Sequence, residues 1–395
     1  MRSYFDYNAT TPVHPAVVEA VARALVDTFG NASSVHGFGQ QAKAALDDAR
    51  AALAALIGAE PAEVVFTAGG TESDNFALRG GAEAQEGRNR RRIVTSAIEH
   101  EAVLNTCRHL TRRGYVCTTL PVATNGVVTP EALKLVMGDD VAVVSVMHAN
   151  NEIGTVQPIA ALADIAHAHG ALFHTDAVQT VGKLPIDVRA LGVDLLSLSG
   201  HKFYAPKGTG ALWIRRGVRL APILTGGRHE RNRRAGTENV PGLIGLGVAA
   251  SLARTSLDHE PVRLAGLRDR LEQGVLRQVP RTAVNGAGAA RVANTTNISF
   301  DGVEAESLLI ALDLEGIAVS TGSACSSGTL EPSHVLKAMN LPAGRAHNAI
   351  RFSLGAGNTV EEVDVLLGLL PPIVDKLRAL GRRPKASLKA MTATH

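Results

Sequence analysis

Along the first 255 residues, short runs rich in β-branched residues alternate with longer segments rich in Ala and Leu. Near-continuous apolar strands that alternate with helical segments are typical of a mostly parallel sheet with helices on both faces. This alternation therefore predicts an α/β fold. The predicted strands are 63–67, 92–95, 141–147, 171–175, 194–198 and 210–214, and the predicted helices are 40–57, 73–85, 102–112 and 159–169.

The pattern changes after about residue 255. A polar helical stretch over 260–278 is followed by a strand at 297–300, a helix near 305–312 and a loop rich in Gly and Ser at 320–329. This order predicts a second, smaller α+β domain. The basic stretch 381–395 has no hydrophobic periodicity, and we expect a flexible tail there.

Composition excludes several classes of protein. A hydrophobic fraction of 45% is enough for a packed core, and three cysteines without a C-x-x-C pair support neither a disulfide framework nor a zinc site. Forty Lys and Arg against 37 Asp and Glu leave +3, so we expect no direct binding of nucleic acid. The longest apolar stretch, 243–253, is shorter than the ~20 residues of a membrane span. These features predict a cytoplasmic protein with no membrane contact.

One glycine segment is a candidate anion site. Two Gly-x-Gly pairs, at 208–210 and 286–288, lack both the third glycine and the strand–turn–helix context of a dinucleotide fold. Residues 69–73 (GGTES) instead follow a predicted strand and precede a helix, where free N–H groups could bind a phosphate. The alternative is a helix cap made by Thr71 or Ser73, and this segment alone favours the cap.

Three further segments change that balance. Asp176 follows one predicted strand, Ser199-Gly-His201-Lys202 follows another, and His100 precedes a predicted helix. Ligands of open α/β sheets bind outside the carboxyl ends of the strands, so these side chains should converge. Each has a structural alternative: a solvated lysine, a helix cap and a buried histidine. Together they match a site for pyridoxal 5'-phosphate, which needs a phosphate cradle, a carboxylate for the ring nitrogen and a lysine amine.

At this point the sequence resembles the NifS/IscS-like group I cysteine desulfurases, a branch of the fold-type I, class V aminotransferase-like enzymes. The resemblance runs almost from end to end and implies a large domain over 16–255 with a mostly parallel seven-stranded sheet. It also implies a small domain formed by 1–15 and 256–380. The matching blocks, in the family's order, are 7–12, 30–34, 71–75, 148–154, 187–207, 236–237 and 350–355.

The resemblance implies a role for each matching residue. Lys202 would hold pyridoxal phosphate covalently, Asp176 would pair with the ring nitrogen, Gln179 would contact the ring hydroxyl and His100 would stack on the ring. Arg351 would bind the substrate carboxylate, since its planar fork matches a carboxylate. The remaining implied contacts are Gly70, Thr71, Ser199 and His201 to the phosphate, Thr237 from the second subunit of a homodimer with shared active sites, and Asn151 beside the ring and the substrate.

Cys325 lies in a loop of small residues at 320–328. The loop alone leaves open whether Cys325 is an incidental surface cysteine or a thiol that collects and delivers a group. The resemblance implies the second, because Gly-Ser-Ala precedes the nucleophilic cysteine in these desulfurases. Cys107 and Cys117 are predicted to be small core residues, since free cysteine is among the most buried residue types.

The resemblance implies conversion of L-cysteine to L-alanine with the sulfur retained on Cys325 as a persulfide. Lys202 would take the Cα proton, and His100 would be an acid–base partner. The acceptor would be an iron–sulfur scaffold or a thiolation partner. Alternatives are a selenocysteine or cystine lyase, an aminotransferase of the same fold, and a non-enzymatic sulfur carrier. The basic runs 88–92 and 228–234 are predicted to be solvated.

Overall fold

The computed structural model describes residues 2–322 and 332–381. Its strands are β1 Ser3–Tyr4, β2 Val64–Thr67, β3 Arg92–Ser96, β4 Val116–Leu120, β5 Val141–Ser145, β6 Leu172–Asp176, β7 Leu195–Ser199, β8 Gly210–Ile214, β9 Thr282–Asn285, β10 Thr295–Phe300, β11 Ile317–Ala318 and β12 Ala349–Ser353. Its α-helices are α1 Pro15–Asp27, α2 Gly37–Leu56, α3 Gly70–Asn75, α4 Gly81–Gln85, α5 Glu101–Thr111, α6 Pro130–Lys134, α7 Ile159–Ala168, α8 Val240–Ser256, α9 Glu260–Gln278, α10 Ala305–Leu314, α11 His334–Ala338, α12 Ala343–His347 and α13 Val360–Gly381.

Seven of the described strands form one sheet in the order β2-β8-β7-β6-β5-β3-β4. Only β8 runs antiparallel to its neighbours within this sheet. The prediction of an α/β fold with a mostly parallel seven-stranded sheet is confirmed. Because a strand directs successive side chains to opposite faces, Leu195 of β7 packs in one apolar cluster and Leu196 in the other. Both faces of the sheet are thus covered, as near-continuous apolar strands require.

A separate apolar core lies around the smaller sheet β12-β10-β9 and helices α9, α10 and α13. Phe5 from the N-terminal segment is fully buried in this core, and β1 pairs with β11. The N-terminal segment therefore packs with the C-terminal part of the chain. Val335 and Leu336 of α11 belong instead to the core of the large sheet. The domain boundaries 16–255 and 256–380 stay a prediction.

Some predicted bounds are wrong. The helix predicted over 73–85 begins three residues earlier, at Gly70, and passes through a π-helical turn at Phe76–Gly80. The strand predicted over 141–147 ends at Ser145. The early start of α3 matters for the site, because it places Gly70 and Thr71 in the first turn of a helix. The flexible tail predicted over 381–395 lies, apart from Gly381, outside the described residues.

No single helix of the described part of the chain is long and apolar enough to cross a membrane. Helices α8 and α9, which are bent by 73° at the break between them, satisfy that criterion only as a pair.

Candidate active site

The carboxyl ends of two neighbouring parallel strands form the floor of the candidate site. Asp176 is the last residue of β6, and Ser199 is the last residue of β7. A single 3₁₀ turn, Gly200–Lys202, follows β7 and brings His201 and Lys202 to the same edge of the sheet. The convergence predicted from the strand ends is therefore observed.

A cavity of about 290 Å³ lies above this edge. Ten predicted site residues line it: Gly70, Thr71, His100, Asn151, Asp176, Gln179, Ser199, His201, Lys202 and Arg351. Thr237 does not line it and lies exposed on the surface of the single chain. Cys325 lies outside the described residues. The lining also includes Asn8, Asp74, Met147 and Gly322, none of which was predicted as a site residue.

One end of the cavity is built mainly from backbone. Gly69, with φ of +151°, is the N-cap of α3, so no cap side chain occupies the first N–H groups of the helix. Ser73 does not cap this helix either, because its hydroxyl lies 2.8 Å from the hydroxyl of Thr67. A Cβ on Gly70 would lie 2.6 Å from Val178 Cγ2. The cap alternative is therefore wrong, and the helix end is left open to an anion. We name Gly70, Thr71, Ser199 and His201 the phosphate end of the cavity.

His201 is neutral at physiological pH. Burial, and then the charge of Lys202, lower the pKa of His201 to about 4. His201 lines the cavity, and its Nδ1 lies 3.1 Å from the Thr10 hydroxyl, so Nε2 is the ring nitrogen that this contact leaves available. A neutral imidazole has one N–H donor, and Ser199 adds a hydroxyl nearby.

Another part of the lining is acidic: Asp74 and Asp176 line the cavity, and we name them, with the adjacent buried Glu99 and His174, the ring end. Asp176 Oδ1 accepts a hydrogen bond of 2.9 Å from the N–H of Val178. Burial raises the pKa of Asp176, while His100 and Lys202 oppose that rise. The Val178 N–H, His100 and Lys202 all favour the charged form of the Asp176 carboxyl, which suits it to hold a proton on a ring nitrogen.

Two further carboxyl groups lie beneath Asp176. Burial, and next the charge of Asp176, raise the pKa of Asp74 well above its usual value. Its Oδ1 has no hydrogen-bond partner in the described structure and lies 3.7 Å from His174 Nε2. Burial raises the pKa of Glu99 to about 8, although its carboxyl accepts hydrogen bonds from Ser96 and from the N–H of Met147. The ring end therefore concentrates acidic groups away from water.

His100 and Lys202 contact the cavity from two sides. His100 is the N-cap of α5, and its Nδ1 accepts a hydrogen bond of 3.1 Å from the N–H of Ala102. The proton of a neutral His100 then lies on Nε2. Lys202 Nζ donates to the carbonyl oxygens of Asn8 at 2.6 Å and Ala9 at 2.8 Å. Lys202 is therefore not the solvated loop lysine of the alternative interpretation.

Arg351 reaches the cavity from β12, a strand of the smaller sheet β12-β10-β9. It is 3% exposed; its Nη2 donates to Asp6 at 2.6 Å and its Nη1 to the carbonyl of Asn151 at 3.0 Å. Its Nε has no hydrogen-bond partner among residues 2–322 and 332–381. Arg351 also lines the cavity, and a guanidinium held there is suited to pair with an arriving carboxylate.

Outside the cavity, the structure corrects other predictions that were made from the sequence. The run 228–234 is not simply solvated, because Glu230 forms a buried ion pair of 2.7 Å with Arg50, and Arg234 pairs with Glu72. In the run 88–92, side chains of Arg90 and Arg92 bind a backbone carbonyl and Asp140. Cys107 is buried as predicted, whereas Cys117 is half-buried, with its thiol 3.2 Å from the Cys107 carbonyl.

Comparisons with known proteins agree over nearly the whole chain. The profile of the aminotransferase class-V family matches residues 3–366. The chain is 52% identical to a cysteine desulfurase of Gluconacetobacter diazotrophicus over 95% of this chain and 94% of that protein. It is 50% identical to the cysteine desulfurase IscS of Methanosarcina thermophila over 95% and 92% of the two chains. The solved structure of a NifS-like protein superposes with a TM-score of 0.89 at 38% identity, covering 95% of this chain and 100% of that one.

Proposed function

The chain belongs to the NifS/IscS-like cysteine desulfurases of the aminotransferase class-V family, and we propose that it performs this reaction in the cavity between the strand ends and β12. The family depends on pyridoxal phosphate. The observation that carries the proposal is the convergence of Lys202, Asp176 and Arg351 on one cavity of about 290 Å³. A lysine, a buried carboxylate and a buried arginine there match the three needs of a pyridoxal phosphate enzyme acting on an amino acid.

The chemistry of the lining supports pyridoxal 5'-phosphate as the resident cofactor. The open N-terminus of α3 and the neutral His201 suit its phosphate, and Asp176 suits its ring nitrogen. When bound, this cofactor supplies an aldehyde that links to a lysine amine and a ring that accepts electrons. Lys202 would provide the amine, Gln179 would contact the ring hydroxyl and His100 would stack against the ring.

The substrate end uses Arg351 and Asn151. Arg351 would bind the carboxylate of L-cysteine through its guanidinium, while Asp6 and the Asn151 carbonyl fix the plane of that group. Lys202, once exchanged for the substrate amine, would take the Cα proton. His100 would hold or return a proton at its Nε2, the nitrogen that its cap hydrogen bond leaves available.

Cys325 would receive the sulfur. Its thiolate attacks the substrate sulfur, the S–Cβ bond breaks, and the electron pair of that bond stays with the carbon, which takes up a proton. L-Cysteine and the Cys325 thiol thus become L-alanine and a persulfide on Cys325. No external oxidant is needed, because the substrate carbon is reduced as the sulfur is transferred.

The test is Cys325→Ala in the full chain, with Cys117→Ala as the matched control. We expect Cys325→Ala to retain the visible absorbance of the bound cofactor and to form almost no alanine and sulfide from cysteine, whereas Cys117→Ala keeps turnover. Undiminished turnover by Cys325→Ala would contradict the assignment and favour a lyase, which releases sulfur or selenium without a protein thiol.

A homodimer with shared active sites fits the surface of the single chain. Phe29, Val35 and Phe38, near the start of α2, are 67%, 91% and 57% exposed. Large apolar side chains clustered in this way mark a protein contact. A second copy would cover them and bring its exposed Thr237 to the phosphate of its neighbour. A cytoplasmic location, and an iron–sulfur scaffold or thiolation partner as the sulfur acceptor, stay predictions.

A further inference from the structure

A second lysine, Lys183, lies beside the active cavity. Its Nζ donates to Gln179 Oε1 at 2.8 Å and to Asn8 Oδ1 at 3.0 Å. It also lines an adjoining cavity of about 270 Å³ that shares Lys202 with the first. We propose that Lys183 is a positioning residue of the active site: by bridging the two amide oxygens, it fixes which atoms of Gln179 and Asn8 face the cofactor and Lys202. This inference rests on the proposed function.

The orientation of the Gln179 amide is determined by its two partners. Its Nε2 donates to the backbone carbonyl of Asn8 at 3.0 Å, and a carbonyl can only accept. Its Oε1 must then turn toward Lys183, which donates. Both partners demand the same orientation, and the second N–H of Nε2 is then the donor that Gln179 can offer to a ring hydroxyl.

The orientation of the Asn8 amide follows in the same way. Its Nδ2 donates to the carbonyl of Asn151 at 3.1 Å and to the Thr295 hydroxyl at 2.8 Å, so its Oδ1 turns toward Lys183. Asn294 Nδ2 donates to that oxygen as well, at 3.1 Å. Without Lys183, the amide oxygen of Gln179 would lose the donor that the structure gives it, and Asn8 would keep only Asn294.

The catalytic lysine is coupled to this network through one backbone atom. The Asn8 carbonyl oxygen accepts from Lys202 Nζ at 2.6 Å and from Gln179 Nε2. Without Lys183, the buried Gln179 Oε1 is left without its donor, and only the hydrogen bond to the Asn8 carbonyl holds the amide in place. Any shift of Gln179 toward another donor would weaken its hydrogen bond to the Asn8 carbonyl, the same atom that accepts from Lys202 Nζ.

The experiment replaces Lys183 by Met, which has a similar length and no donor, and by Arg, which keeps several N–H donors. The matched control is Lys43→Met, at an exposed lysine on α2. For the full-length enzymes, we would measure the dissociation constant of pyridoxal phosphate by titrating the cofactor-free protein, and the absorbance maximum of the bound cofactor. We expect Lys183→Met to weaken binding about tenfold and to displace the absorbance band, with Lys183→Arg and Lys43→Met close to the parent.

A double variant separates positioning from a general loss of structure. If Lys183 acts through Gln179, then Lys183→Met should add little to the defect of Gln179→Ala, whereas independent effects would multiply. Parental affinity and spectrum in Lys183→Met, or full multiplication in the double variant, would overturn the inference. Failure of the parent enzyme to bind pyridoxal phosphate would instead overturn the proposed function, so the two failures are distinguishable.

Discussion

The two ends of the active cavity handle charge in opposite ways. The phosphate end offers the N-terminus of α3, hydroxyl groups and a histidine that burial and the charge of Lys202 keep neutral, and it borders a wider cleft of about 630 Å³. The ring end packs three carboxyl groups, Asp74, Glu99 and Asp176, and burial raises the pKa of each. At the phosphate end, an anion that arrives from water is met by N–H and O–H dipoles, which need no counterion. At the ring end, burial and neighbouring charges determine whether each carboxyl group holds a proton.

This difference has consequences for substitution. Several donors would share a bound phosphate, so the loss of one would leave the others in place. At the ring end Asp176 alone among the three carboxyl groups lies within the influence of both His100 and Lys202. We therefore expect large effects on turnover from the ring end, and smaller effects, confined to cofactor affinity, from the phosphate end.

Asp176→Asn tests the ring end most directly. The amide keeps the shape of the side chain and removes its charge, so it cannot hold a proton on the ring nitrogen. Loss of one partner from a buried charged pair costs about 3–5 kcal/mol, so we expect kcat to fall about 10²- to 10⁴-fold. Steady-state kinetics at saturating pyridoxal phosphate measure this loss.

The control for Asp176→Asn is Asp194→Asn. Asp194 is also buried and accepts from the N–H of Phe173, and it does not line the cavity. We expect the control to keep kcat within a few-fold of the parent. Equal losses in the two variants would mean that burial of any carboxylate in this sheet matters, and the special role of Asp176 would be wrong.

The ring and phosphate ends also differ in how far the sequence predicts them. Asp176, Ser199 and Lys202 could be predicted because each follows a strand directly, and the ends of parallel strands meet at one edge. Asp74 was missed although it lies four residues after Gly70 on the same helical run, a spacing that places both on one face. The helix was predicted to begin at residue 73, so Gly70 was not recognised as helical.

Contacts between distant parts of the chain were harder to predict. Asn8 and Lys183 join the site because the N-terminal segment returns to β12, where Asp6 forms a bridge with Ser353. No local pattern encodes such a contact. Helix α13 was also missed: it contains Pro371 and Pro372, which ordinarily interrupt a helix, but its apolar face packs in the second core. There tertiary packing overrides local preference.

Glu99→Gln tests whether the ring end makes stability depend on pH. The folded chain holds a proton on Glu99 up to about pH 8, whereas an ordinary glutamate releases it near 4.5. The contribution of Glu99 to the free energy of unfolding is therefore complete below pH 4.5 and is lost as the pH rises through 8. Between pH 6 and 8 the parent should lose about 2 kcal/mol that the glutamine variant keeps. Urea midpoints at both pH values measure the difference.

The matched control for Glu99→Gln is the nearby exposed Glu101→Gln. Its urea midpoints should change with pH as those of the parent do. A Glu99→Gln variant with the parental pH dependence would show that the buried carboxyl groups of the ring end do not govern stability, and the contrast between the two ends would lose its electrostatic basis.

Thr71→Val tests the phosphate end and should have the smallest effect of these three variants. Valine keeps the branched shape in the first turn of α3 and removes one hydroxyl, while the N–H groups of the helix, Ser199 and His201 stay. A hydrogen bond to a charged group contributes about 1.5 kcal/mol or more, so the cofactor should bind about tenfold more weakly. Because the remaining donors would still hold the phosphate, kcat at saturating pyridoxal phosphate should equal that of the parent.

The control is Thr255→Val, at a hydroxyl on α8 away from the cavity, which should change neither the affinity for the cofactor nor kcat. A fall in kcat for Thr71→Val that excess cofactor does not restore would mean that the phosphate end also orients the reacting ring, and the division of labour between the two ends would be wrong.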